Sequence, residues 1–181
     1  MAIKPILFNT DMVRAIMDGR KTCTRRVVKT RRKDACGFYV TKRTDGSFTG
    51  IYEYDEDERM FENQLIPPYK PGDILYVRET WHRYTKRVGK GEGCHLEEHY
   101  GYKASIANSE DVEEPWKPSI HMPKEAARIW LKVTDVRVER LQEITADDIR
   151  NEGLSSAAVH CGDMEIALKE WENLWNSTIK K

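Results

Sequence analysis

The chain predicts an α+β fold, and three observations carry that reading. Five or six strand-like segments stand against three helical ones, a balance that argues against a regular βαβ sheet. No internal repeat period and no low-complexity tract interrupts them. At 181 residues the chain is long enough for one domain with a sizeable core.

The elements follow in order. Ile3 to Phe8 is a short apolar strand broken by Pro5, which suits a sheet edge. Thr10 to Asp18 places Val13, Ile16 and Met17 at helical spacing, with Asn9 or Thr10 as N-cap and Gly19 as a left-handed stop. Thr24 to Val28 alternates and is β-branched, predicting a strand. Residues 29–66 are a polar elaboration. Within them Phe38-Tyr39-Val40 and Gly50-Ile51-Tyr52 flank Thr44-Asp45-Gly46-Ser47, a hairpin pattern with an Asp-Gly turn.

Pro67 to Asp73 is a rigid turn feeding a strand from Ile74 to Trp81. Leu75, Val77 and Glu79 share one face of that strand, so Glu79 either enters a cleft or closes an ion pair. Residues 83–125 form a second elaboration, with a strand near Tyr100–Ala104. Ala127 opens the longest strand signal, carrying Ile129, Leu131 and Val133 on one face before a change of phase at Thr134-Asp135. Thr145 to Asp148 has the capping-box pattern of a short helix ending at Gly153. Asp163 to Ile179 puts Met164, Leu168, Trp171, Trp175 and Ile179 on one stripe, an amphipathic helix whose tryptophans belong to the core.

Thirty Lys and Arg balance thirty Asp and Glu, so the formal net charge is zero. The charge is uneven, however. Residues 14–33 carry nine cations against Asp18 alone, a basic face that allows salt-sensitive phosphate contact. No apolar run approaches 18 residues, and no charged-then-apolar leader opens the chain. The expectation is a cytoplasmic protein with no membrane partner. Cys23, Cys36, Cys94 and Cys161 are scattered, which fits a reducing compartment. Cys94-His95 with His99, and His160-Cys161, supply zinc-type ligands, but no C-x-x-C pair or H-x-x-x-H helix is present, so neither metal nor cofactor is expected. Nothing in the sequence sets an oligomeric state.

The densest chemistry lies in Gly19-Arg20-Lys21-Thr22-Cys23-Thr24-Arg25-Arg26, where cations and hydroxyls crowd a helix-to-strand corner. Such a corner suits an anionic or carbonyl-bearing ligand, or is simply a solvated loop. Three ordered motifs extend it: Gly19-x-Lys21-x-x-Thr24-x-Arg26, Pro71-Gly72-Asp73-Ile74-Leu75, and Leu141-x-x-Ile144-Thr145 closing at Glu152-Gly153.

Together these motifs resemble the ASCH domain of the PUA-like superfamily, and Trp116 to Pro123 with the extra loops resembles the form carried by phages and prophages. The match covers about residues 3–28, 67–82 and 126–179. The resemblance implies a single small β-barrel domain with flanking helices, elaborated at 29–66 and 83–125. It also implies a cleft for RNA or modified nucleosides beside the first helix. Compact bacterial members hydrolyse N4-acylated cytidines with a lysine, a threonine and a glutamate. By position these are Lys21, Thr24 and Glu152. Cys23 departs from a position that is often aliphatic, and the elaborations bear on substrate identity.

Those residue types fit the chemistry. A threonine hydroxyl attacks an amide carbonyl only with an adjacent base, and a lysine can serve once its neutral form is accessible. Glu152 would pass a proton to the leaving amine or hold Lys21. Arg26 or a backbone N–H would meet the developing oxyanion, with Arg25 as a further cation. Glu79, Trp81, Trp116 and His121 are candidates for recognising or stacking a base. Two other classes stay open: a non-catalytic RNA-binding module, and a phage accessory protein acting through protein contacts.

Overall fold

In the computed structural model the described residues are 1–46, 48–106, 114–154 and 163–178. Two compact units are distinguished. The first comprises Met1–Ala2, Arg25–Asp73 and Lys132–Ile144; the second comprises Ile3–Thr24, Ile74–Leu131 and Thr145–Lys181. The elaboration at 29–66 falls in the first, and that at 83–125 in the second.

The second unit is built on strand β1 (Ile3–Leu7), which pairs in parallel with β5 (Ile74–Arg78), Ile3 opposite Ile74 and Leu7 opposite Arg78. The sheet order is β1-β5-β8, with β8 only Trp130–Lys132, so Pro5 lies on an edge strand where its missing N–H is tolerated. Helix α1 (Thr10–Met17) starts where the Asn9 carboxamide accepts from the Met12 N–H at 2.8 Å, and Gly19 ends it at φ +72°. Val13 and Ala15 are its buried residues.

Leu75, Val77 and Glu79 are all buried, as their shared face requires. The strand expected to run through Trp81 divides instead. β5 stops at Arg78, and Trp81–Val88 is a separate strand, β6, forming an antiparallel hairpin with β7 (His95–Tyr102). Helix α2 (Ala146–Asn151) begins at Thr145 with a complete capping box against Asp148 and ends at Gly153, φ +95°. Helix α3 (Met164–Thr178) buries Ala167 and Trp171, and Trp171 packs against Trp175 with ring centroids 5.3 Å apart. Ile179 lies outside the described residues.

The first unit holds an antiparallel sheet of β2 (Gly37–Lys42), β3 (Phe48–Tyr54) and β4 (Met60–Leu65), in that order. The β2–β3 turn has Gly46 at φ +82°, the conformation an Asp-Gly turn supplies. Ile51 and Leu65 are its buried apolar pair. The Pro71-Gly72-Asp73 motif has a clear physical basis. Gly72 sits at φ +88°, and the buried Asp73 carboxylate accepts from the Ala2 and Lys70 amides at 2.9 and 3.2 Å. The Gly72 N–H and Asp73 carbonyl then bond Val133, at 2.8 and 2.9 Å.

Two strand expectations are corrected. Thr24 to Val28 form no strand, because β-branching favours extended backbone without supplying a neighbouring edge; Val27 is exposed. The strand from Ala127 contracts to the three residues of β8, and Val133–Val138 are irregular. The α+β class therefore holds, but the described strands form three separate sheets and none closes into a barrel. Among the described residues no helix is long and apolar enough to cross a membrane.

Candidate functional site

Lys21 follows the α1 stop, where its N–H and that of Arg20 both bond the Ala15 carbonyl, folding the chain tightly back on the helix. That fold aims the lysine at the end of α2. An isolated antiparallel bridge joins Lys21 to Glu152, and the Thr22 and Cys23 amides bond the Asn151 carbonyl at 2.8 and 3.0 Å. Within this seam the Lys21 ammonium donates to the Glu152 carboxylate at 2.5 Å and to the Glu152 carbonyl at 3.0 Å. The two side chains are 2% and 4% exposed, and the ring of Phe8 lies 5.8 Å from Nζ.

The close approach depends on Gly153. A Cβ there would stand 2.7 Å from that of Ala15 and 3.0 Å from that of Lys21, besides the strain of its positive φ. Arg20 reinforces the turn, its guanidinium donating to the Gly153 carbonyl at 2.5 Å and pairing with Asp18 at 2.8 Å. Thr24 is half-buried, three residues beyond Lys21 on the same connection.

Glu79 takes the ion-pair alternative. Its carboxylate is 1% exposed and receives two parallel bonds from Arg128, Nε to Oε1 and Nη2 to Oε2, both 2.9 Å. The remaining Arg128 nitrogen donates to the Ser105 hydroxyl at 2.6 Å, and the guanidinium lies 4.1 Å over the Tyr102 ring. Burial raises the Tyr102 phenol above its ordinary value; Arg128 opposes that shift, and Glu79 and Tyr100 add to it. The Tyr102 hydroxyl donates to the Ala126 carbonyl at 2.7 Å.

The other candidates are distributed differently. Trp81 is 6% exposed and packs with Met122 and Ala126 in the core, with Lys117 5.0 Å over its ring, so it offers no open face to a base. The stacking role expected of Trp81 is corrected on that ground. Trp116 is half-buried and meets His82 edge-on at 4.7 Å. His121 is exposed on a single 3-10 turn, Ser119–His121. In the first unit, Arg25 pairs with Glu139 at 3.2 Å, while Arg26 is exposed and donates to the Arg25 carbonyl at 2.9 Å. A broad cleft of about 1030 Å³ in that unit is lined by none of the expected site residues.

Sequence reasoning missed Arg128 and His82. Arg128 had a usable signal: a charge inside the apolar run Ala126-Ala127-Arg128-Ile129 needs a buried partner, and Glu79 is the carboxylate with the same difficulty. Among the described residues no three His, Cys, Asp or Glu side chains gather as a metal centre. His160 and Cys161 lie outside the described residues. Comparison with protein-family models, curated proteins and solved structures gave no match to this chain.

Proposed function

We propose that this chain is an ASCH-type domain of the PUA-like superfamily whose reaction centre is Lys21, Thr24 and Glu152. It hydrolyses the amide of an N4-acylated cytidine or a similar modified base. The observation that carries the reading is the buried Lys21–Glu152 contact of 2.5 Å between residues 131 apart in sequence. Two charges withdrawn from water cost several kcal/mol each before their attraction is counted. Packing alone does not need them, and an apolar pair would fill the same space.

The contact is also a route for a proton. Transfer from the ammonium to the carboxylate leaves a neutral amine and a carboxylic acid. The amine takes the proton of Thr24 as its oxygen attacks the acyl carbon, and Glu152 protonates the departing N4 of the base. Water then attacks the threonine ester, giving its proton to Glu152, while Lys21 returns a proton to the Thr24 oxygen. Each transfer by a positioned group contributes about 10²–10⁴-fold.

Release of cytidine from N4-acetylcytidine by the purified protein tests the reading. Lys21→Ala, Thr24→Ala and Glu152→Ala are each expected to lower kcat/KM by about 10³-fold or more. No turnover across a panel of acylated nucleosides overturns it. The exposed Arg26, Lys29, Arg31 and Lys33 favour a second reading, a non-catalytic reader of RNA. In that case affinity falls steeply with salt and with charge reversal along this run.

A further inference from the structure

The β6–β7 hairpin lies in the 83–125 elaboration apart from Trp81 and His82, and none of its residues belongs to the Lys21–Glu152 seam. One face of it carries a column of rings. His82 stacks on Tyr84 at 5.3 Å and 20°, and Tyr84 on His99 at 5.7 Å and 28°. Gly101 is paired opposite His82, and a Cβ there would fall 1.7 Å from Nε2. The missing side chain is what admits the imidazole against the strand.

Beside this column is a cavity of about 360 Å³ lined by His82, Tyr84, Tyr100, Tyr102, Ser105 and Glu114. That lies near the small end of ligand pockets, enough for one heterocycle with a sugar. Its walls are held in place. Arg128, anchored on Glu79, bonds Ser105 and covers the Tyr102 ring, while the Tyr102 hydroxyl is engaged by Ala126.

The cavity holds an unmet hydrogen-bonding demand. His82 is 5% exposed, and its Nδ1 has no hydrogen-bond partner. The Glu114 Oε2 lies 3.5 Å off, an ion-pair distance for a protonated imidazole but beyond a good hydrogen bond. A buried polar nitrogen in that condition calls for an explanation, and an unfilled ligand position supplies one. Stacked rings favour a flat guest. The unmet nitrogen requires a directional partner, which excludes a quaternary ammonium, and the adjacent carboxylate accepts N–H donors in parallel. Guanine is the nucleobase whose one edge presents a carbonyl acceptor, a ring N–H and an exocyclic amine side by side, matching an N–H donor beside a carboxylate.

We infer that this cavity binds a guanine-type base, its N–H edge on Glu114, its neighbouring carbonyl oxygen accepting from the His82 Nδ1–H, and its ring against the His82–Tyr84 column. The inference rests on the hairpin and the residues that line its cavity, and stands apart from the hydrolase reading.

Trp116 meets His82 edge-on at 4.7 Å, so quenching of tryptophan emission by guanosine monophosphate provides the test, with the adenosine, cytidine and uridine monophosphates alongside. Expected is saturable quenching by the guanosine compound, about tenfold tighter than by the other three, which corresponds to one good hydrogen bond. Glu114→Gln weakens it about tenfold, and His82→Phe, which keeps a flat ring without the nitrogen, weakens it as well. Equal response to all four, no saturable response at millimolar concentration, or affinity indifferent to both substitutions overturns the assignment. No acylated substrate is present in this titration, so its failure leaves the Lys21–Glu152 reading intact, and failure of hydrolysis leaves this one intact.

Discussion

Two buried carboxylates in the second unit are paired in different ways. Glu79 is met by an arginine whose planar fork covers both carboxylate oxygens, and the third guanidinium nitrogen is spent on Ser105. Glu152 is met by a lysine, a compact charge that reaches one carboxylate oxygen and the backbone carbonyl of the same residue. An arginine keeps its proton under all ordinary conditions, so the Glu79 pair can only hold shape. A lysine can pass its proton along the bond it makes. The pairs also differ in burial: Lys21 and Glu152 are 2% and 4% exposed, whereas Glu79 is 1% exposed but Arg128 keeps 26% of its side chain in solvent, and on the proposed reading only the first pair reacts.

Stability measurements sharpen that contrast most. Arg128→Ala leaves the Glu79 carboxylate buried and unpaired, and is expected to cost about 3–5 kcal/mol in chemical denaturation. Lys21→Met combined with Glu152→Leu removes both charges and fills the space, so it should stay within about 1 kcal/mol of the parent or exceed it. A loss at the second site as large as at the first would make both pairs fasteners and remove the distinction.

Gly153→Ala comes next. Its Cβ must enter a space bounded by Ala15 and Lys21 while the backbone holds φ +95°. The expected cost is about 1–3 kcal/mol by thermal unfolding, and under the proposed function hydrolysis is lost as Glu152 shifts off Lys21. Full activity in the alanine variant would show that the approach of the two segments is not what brings the pair together.

The smallest effect concerns pH. Burial holds the Tyr102 phenol above its ordinary value, so the unfolded chain loses that proton first as pH rises. The sign follows: the stabilisation is complete below pH ~10 and is lost as pH climbs through the folded-state value. Unfolding of Tyr102→Phe should therefore show a shallower alkaline decline than the parent. An identical decline would mean that the Arg128 region does not sense this proton.

Much of the local structure was legible because its causes are local. The Asn9 cap and Gly19 stop, the Thr145–Asp148 box and the Asp45-Gly46 turn each depend on a few neighbouring residues. The face shared by Leu75, Val77 and Glu79 followed from a period of two. β4 was missed because Met60-Phe61-Glu62-Asn63-Gln64-Leu65 has neither strict alternation nor β-branching, and pairing with β3 creates the strand. The reverse held for Thr24–Val28, where propensity had no partner to act on. The extent of β6 and β7 escaped notice because charged residues such as Arg83, Lys86, Glu97 and Glu98 mask a hairpin held by cross-strand bonds.

By itself, then, the order of residues determined where helices start and stop, which turns need glycine, and which side chains carry enough chemistry to be worth a site. Tertiary structure alone decided their partners. It gave the Lys21–Glu152 contact, which the family resemblance had implied, its 2.5 Å geometry, gave Glu79 to Arg128, and packed Trp81 into the core while ranging His82 with Tyr84 and His99. The physical reason is that a cap or turn closes within one stretch of backbone, whereas a buried charge is satisfied by whichever group the folded chain delivers within about 3 Å.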